Sequence, residues 1–265
     1  MHTVQLFFKI IKYSFYAQIE YPGAYLAGIS AQWVSYGVEM FMLFLMIWNF
    51  GTLAGWLPAE VMFLYSIWLL TYALASTFTF NISRSFSQIA INGTMDEAFV
   101  RPMPPLTYLI ATHINLGYIS HISLTVVVFV ISIVQLNVSW SIFHWLWLGV
   151  LVVSGSVITG CMMLICEMPA MRTRSQSPTS MLFWDLRIFS QYPLVIYPRP
   201  IQFIFTAVLP YAFINFYPTQ VLLGKQDGLF AQITMWLSPF VALILIAITA
   251  LCWQKICRGY ESAGT

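Results

Sequence analysis

The chain has 265 residues, of which 60% are hydrophobic and only 8% are charged, with a net charge of +2. Soluble domains carry roughly 25% charged residues, so this composition excludes a water-soluble globular protein. The few basic residues form no patch of the kind a nucleic acid needs, and no nucleic-acid partner is expected.

Residues 1–22 read as an amphipathic helix lying in a membrane interface. With a helical step of about 100° per residue, His2, Gln5, Lys9, Lys12 and Glu20 share an arc of about 80°, with Phe7, Phe8, Ile10, Ile11 and Phe15 off it. No cleavable signal peptide is expected, because the opening stretch lacks a clean apolar core and a small-residue cleavage site. Tyr21-Pro22-Gly23 ends this helix and turns the chain into an apolar run, Ala24–Phe50.

A helix needs about 20 apolar residues to cross a bilayer, and Ala24–Phe50 is the first of several runs that qualify. Its one formal charge is Glu39. An intramembrane carboxyl either serves a pathway or is held neutral or hydrogen-bonded within the bundle. The second span is Val61–Phe80. Between it and the next lies Gly93-Thr94-Met95-Asp96-Glu97-Ala98-Phe99-Val100-Arg101-Pro102, a charged, glycine-containing interruption. Gly93 permits a sharp turn. Thr94 or Asn92 can cap a short helix whose first turn carries Asp96 and Glu97, and Pro102, Pro104 and Pro105 stop it. The plainer reading is an ordinary solvated loop.

A charge-free run of 65 residues separates Arg101 from Glu167. It supplies a third span, roughly Thr112–Leu136, and a fourth, roughly Ser141–Cys166. His113 and His121 are read as packing residues, not metal ligands, and His144 as interfacial. Gly155 and Gly160 have phosphate-loop spacing, but Cys161 stands where lysine is required. Ser154, Gly155, Ser156 and Gly160 instead form a patch that lets helices approach closely. Glu167 is expected at the interface.

The stretch from Thr179 to Gly224 is less regular, with Asp185, Arg187, Arg199 and prolines at 193, 198, 200, 210 and 218. Asp185 and Arg187 are two apart and cannot face each other on a helix. A fifth span at Thr179–Tyr197 and a re-entrant segment at about Pro200–Gly224 are favoured over a single kinked span at Ile201–Tyr217. Irregular backbone at that depth is tolerated only where protein buries it or it lines a cavity. The last clear span is Leu229–Gln254. Cys161, Cys166, Cys252 and Cys257 read as apolar thiols, and no metal site is expected. With six spans, Lys9, Lys12, Arg84, Arg101, Arg172, Arg174, Lys255 and Arg258 all fall on the cytoplasmic side and Lys225 outside, as the positive-inside rule favours. Both termini are then cytoplasmic, and the fold class is an all-α polytopic membrane protein in one permease domain, residues 1–265.

Three segments resemble one family, the integral-membrane permeases of type-two ABC exporters. They are Asn92–Glu97 through Arg101-Pro102; Tyr192–Pro198 followed by Leu209–Pro218; and the C-terminal Trp253 with Gly259–Gly264. Here Gly259 directly precedes Tyr260, a departure from the family's more widely spaced ending.

The resemblance implies a permease subunit that binds no nucleotide, pairs with a second permease, identical or not, and couples to two separate ATPase subunits. ATP and Mg would sit on those subunits, with no cofactor in this chain. The loop at residues 82–105 would be the cytoplasmic coupling element, with Arg84, Gly93, Thr94, Asp96, Glu97 and Arg101 contacting the ATPase. Tyr192, Pro210 and Asn215, with Glu39 and Asp185, would line the translocation path. The expected location is a bacterial inner membrane. The rival is an ion-coupled carrier with Glu39 and Asp185 as proton sites. A membrane-embedded enzyme is disfavoured because no protease or hydrolase motif is present.

Overall fold

The computed structural model describes residues 2–175, 177–225 and 229–261, and among them it is helical throughout, with no strand. In chain order the helices are α1 (His2–Ile19), α2 (Pro22–Phe50), α3 (Pro58–Ile91), α4 (Thr94–Phe99), α5 (Pro105–Thr112), α6 (Ile119–Leu136), α7 (Ile142–Glu167), α8 (Ala170–Thr173), α9 (Pro178–Arg187), α10 (Arg199–Phe203), α11 (Phe216–Leu222) and α12 (Leu229–Arg258). Four stretches among the described residues are long and apolar enough to cross a membrane: Pro58–Ile91, Leu116–Leu136, Ile142–Thr173 and Trp236–Arg258. A bent pair, Arg199–Val208 with Pro210–Leu222, adds a fifth if it is counted as one span. The chain is therefore an all-helical, multi-pass membrane protein.

α3 is the central element. Its 34 residues extend for about 51 Å at 1.5 Å per residue. Val61, Phe63, Leu64, Tyr65 and Leu69 are fully buried, with α6 and α7 packed along its flanks. The small residues of α7 permit that approach. A Cβ on Gly155 would lie 2.8 Å from Thr71 Cγ2 and 2.9 Å from the Ile214 carbonyl oxygen, and one on Gly160 would lie 3.2 Å from Thr79 Cγ2. Cys161, Cys166, Cys252 and Cys257 are free thiols.

The two ends of α3 have different chemistry. At the Pro58 end, Glu60 Oε2 accepts from the Leu57 amide (2.6 Å) and pairs with Lys225 Nζ at 2.7 Å. Lys225 also donates to the Gly55 carbonyl at 3.0 Å. At the Ile91 end, Phe86 and Ile89 join Met95 and Ala98 of α4, Met171 of α8, and Trp253 and Ile256 of α12 in one apolar cluster. Arg172 Nη2 donates to the Lys255 carbonyl there, at 3.0 Å. Lys225 thus lies at one end of α3, and Arg172 and Lys255 at the other.

Two expectations need correction. Thr179–Tyr197 is not one membrane-length helix: α9 has 10 residues, about 15 Å, and gives way to 3-10 turns at Ile188–Gln191 and Leu194–Ile196. Pro193 and Pro198 each force an extended residue before them, which ends helical hydrogen bonding. Neither Thr94 nor Asn92 caps α4, because Gly93 itself occupies the N-cap position, in the left-handed region at φ +70°. Glu167, at the end of α7, is buried within the protein, and its carboxylate accepts a short hydrogen bond from the Ser180 hydroxyl of α9.

Candidate functional site

Three regions hold the residues singled out from the sequence. The first is the turn and short helix at the Ile91 end of α3. Gly93 makes the reversal in the left-handed conformation that a Cβ would strain. α4 then buries Met95 and Ala98 completely and leaves Glu97 exposed. Glu97 Oε1 accepts from Arg101 Nη2 at 2.5 Å and from the Tyr108 hydroxyl at 2.7 Å, while the guanidinium stacks 5.4 Å from the Tyr108 ring. The Tyr108 hydrogen bond, then Arg101, holds the Glu97 carboxyl below the usual carboxylate range. Burial, followed by the charge of Asp96, pushes the Tyr260 phenol upward. The Tyr260 ring lies 6.0 Å from Phe99. The first and third sequence motifs thus meet in space through Asp96, Phe99, Trp253 and Tyr260. Residues 262–264 of the third motif lie outside the described residues.

Arg84 does not join this group. It stands seven residues before the end of α3, with its guanidinium 5.4 Å from the Trp184 ring and 5.8 Å from Phe80. It faces a cavity shared with α1 and α5.

The second region is the broken stretch after α9. Leu209 is extended (φ −114°, ψ 98°) because Pro210 follows it, and there the helical pair bends by 71°. Side chains tie the bent pair to its neighbours. Asn215 Nδ2 donates to the Ser190 carbonyl at 2.8 Å, the Tyr211 hydroxyl to the Phe183 carbonyl at 3.1 Å, and Ser238 Oγ to the Phe213 carbonyl at 3.0 Å. Asn215 is buried while its Oδ1 has no partner. Tyr192 and Pro210 are half-buried, and Tyr192 borders a small gap with Tyr211 and Asn215. Tyr192 and Asn215 are therefore brought together at this gap, while Pro210 is not among the residues that line it. Asp185 is exposed on α9, away from them.

The third region was missed at the sequence level. Arg187 is buried, with its guanidinium carbon 3.9 Å from the Tyr72 ring centre, 4.6 Å from Trp68 and 5.7 Å from Trp184. Its Nε and Nη1 have no hydrogen-bond partner. Trp68 Nε1 donates to Ser190 Oγ at 2.8 Å, which fixes that wall of the cage. His121 lies beside it, 4.3 Å from Tyr36 and 4.9 Å from Tyr118, as an aromatic packing residue. Glu39, on α2, is exposed and forms no ion pair among the described residues. A buried guanidinium at the level of the apolar run of α3 is costly unless something compensates it. The sequence carried one usable signal, an arginine three residues from a tryptophan in a proline-broken apolar stretch, but its partners come from α3.

No group of three or more His, Cys, Asp or Glu among the described residues could hold a metal ion. The fold and these sites define a polytopic helical membrane protein with a guanidinium packed among aromatic rings and a glycine turn at one end of its central helix. Residues 33–264 match the family model described as ABC-2 family transporter protein, so the chain belongs to that family. No curated protein and no solved structure matches the chain.

Proposed function

We propose that this chain is the permease subunit of an ATP-driven exporter, working with a second permease and two separate ATPase subunits that carry ATP and Mg. One observation carries the coupling reading. Met95 and Ala98 of α4 are wholly buried against the ends of α3, α8 and α12, while Glu97 on the same helix faces outward. A displacement of α4 is therefore delivered to several long helices at once, because close-packed interiors transmit strain. In this reading Gly93, Thr94, Asp96, Glu97 and Arg101 form the ATPase-facing element, and α1 lies in the cytoplasmic interface of a bacterial inner membrane. The six spans are α2, α3, α6, α7, the broken path from α9 and α12, with both termini cytoplasmic. The pair bent at Leu209 is the re-entrant segment, and the path runs along the face that holds Arg187, Glu39, Tyr192 and Asn215.

The test is reversal of charge at Asp96 and Glu97 together. Co-purification of the ATPase and substrate-stimulated ATP hydrolysis should fall at least tenfold, with the permease still folded in detergent. Unchanged values of both would refute the coupling assignment. Transport by the permease alone in proteoliposomes, indifferent to ATP, would instead favour an ion-coupled carrier using Glu39 and Asp185.

A further inference from the structure

A second site lies away from the path, in a cavity of about 550 Å³ between α1, α3 and the break that separates α5 from α6. Its walls include Ser14 and Gln18 of α1, Asn81, Arg84 and Ser85 of α3, and His113. We propose that this cavity binds a phosphate-bearing anion, with Arg84 as its principal ligand.

The chemistry of the lining is one-sided. No Asp or Glu borders the cavity, and Arg84 forms no ion pair among the described residues. The Phe80 and Trp184 rings lie 5.8 and 5.4 Å from the guanidinium carbon, and no hydrogen bond among the described residues uses its N–H groups. That fork matches two phosphate oxygens. Asn81 uses its Oδ1 to accept from Asn115 Nδ2 at 3.2 Å, which leaves its amide NH2 group as a donor. Ser85 adds a hydroxyl.

The walls are preorganised. Gln18 bridges α1 to the helix break twice, donating to the Ile114 carbonyl at 2.8 Å and accepting from the Leu116 amide at 2.9 Å. Asn115 donates from its backbone to the Thr77 carbonyl at 2.8 Å. The break thus holds its shape without a ligand, so binding orders little of the protein.

The position in the fold is that of a membrane surface. α3 carries no charge from Val61 until Arg84, so Arg84 marks the level at which its apolar run ends. Phe8, Tyr13, Phe15 and Tyr16 of α1 are exposed, so the helix that walls the cavity also presents apolar surface. Phosphate reaches such a level as the headgroup of a membrane lipid or as a soluble phosphate compound, and both offer the same anion to Arg84.

The purified full chain in detergent, mixed with phosphatidylglycerol, provides the test by native mass spectrometry. The parent should retain the lipid, and Arg84→Gln should retain about tenfold less, the scale of a lost charge-assisted pair. Arg84→Lys should fall between, since it keeps the charge and loses the fork. Ser85→Phe, which fills the cavity and keeps Arg84, should also lose the lipid, and this covers the case of a poorly folded Arg84→Gln. Retention that millimolar inorganic phosphate leaves intact identifies the lipid headgroup. Arg84-dependent displacement of lipid by phosphate, or a phosphate-induced rise in melting temperature lost in Arg84→Gln, identifies a soluble source. Equal retention by the parent, Arg84→Gln and Ser85→Phe, with no Arg84-dependent effect of phosphate, would overturn the proposal. None of these readouts involves the ATPase, so they stand apart from the coupling reading.

Discussion

Gly155 sits where α7 meets both α3 and the bent pair, and alanine there introduces a methyl group with nowhere to go. The new Cβ would lie 2.8 Å from Thr71 Cγ2 and 2.9 Å from the Ile214 carbonyl oxygen. Neither neighbour yields easily. Thr71 Oγ1 is held by the Trp68 carbonyl at 2.9 Å, and Ile214 contributes backbone, which moves only if the bent pair moves. Overpacking of this kind costs about 1–3 kcal/mol. Glycine-to-alanine exchange within a helix also gives a gain of up to about 1 kcal/mol, which a control must remove. Gly149 supplies it, since its Cβ would meet nothing within 4 Å on the same helix. Gly149→Ala should match or exceed the parent in stability, and Gly155→Ala should fall about 1–3 kcal/mol below Gly149→Ala. Gly160→Ala should lie between, because the contact with Thr79 Cγ2 is looser, at 3.2 Å. A thermal melt of each purified variant measures the order, with about 2–4 °C expected per kcal/mol. Equal melting of Gly155→Ala and Gly149→Ala would refute the claim that α7 is seated there by the absence of a side chain.

The Glu97 carboxyl should titrate below the ordinary carboxylate range in a carbon-detected NMR titration, and Tyr108→Phe and Arg101→Gln should each raise its midpoint, because the tyrosine hydrogen bond and then the arginine hold it down. The sign follows from the depressed pKa: the network is intact above the unfolded-state value and is lost as pH falls through the folded one. An unchanged midpoint in both variants would refute the assignment. Arg187→Leu should leave the melting temperature unchanged or higher, since it removes a buried cation with two unpaired nitrogens. Export by the assembled system should fall at least tenfold in that variant, and normal export would remove Arg187 from the path. Leu57→Cys, beside the contact between Gly55 and Lys225, should be labelled from outside intact cells, and Ser175→Cys should not. Labelling of Ser175→Cys alone would invert the topology.

Composition was enough to establish a helical membrane protein, because removing charge from long stretches leaves no other stable use for them. The prolines from 193 to 218 marked an irregular stretch, but the span expected at Thr179–Tyr197 ran through Pro193, where regular helix has already ended. Gly93 was legible as a turn because left-handed backbone selects for glycine. The small residues of α7 were legible as a contact surface, although their partners, Thr71, Thr79 and Ile214, were not. What only the tertiary structure decided depends on residues far apart in the chain. Arg187 looked unremarkable beside Asp185 until Trp68 and Tyr72 of α3 closed around it. Arg84, close in sequence to the Gly93 turn, points instead toward Trp184 and the cavity beneath α1. Local propensity fixes where a helix begins and ends, but the face it turns to a neighbour depends on how both helices pack. That packing left Arg187 enclosed by aromatic rings and Glu97 facing water.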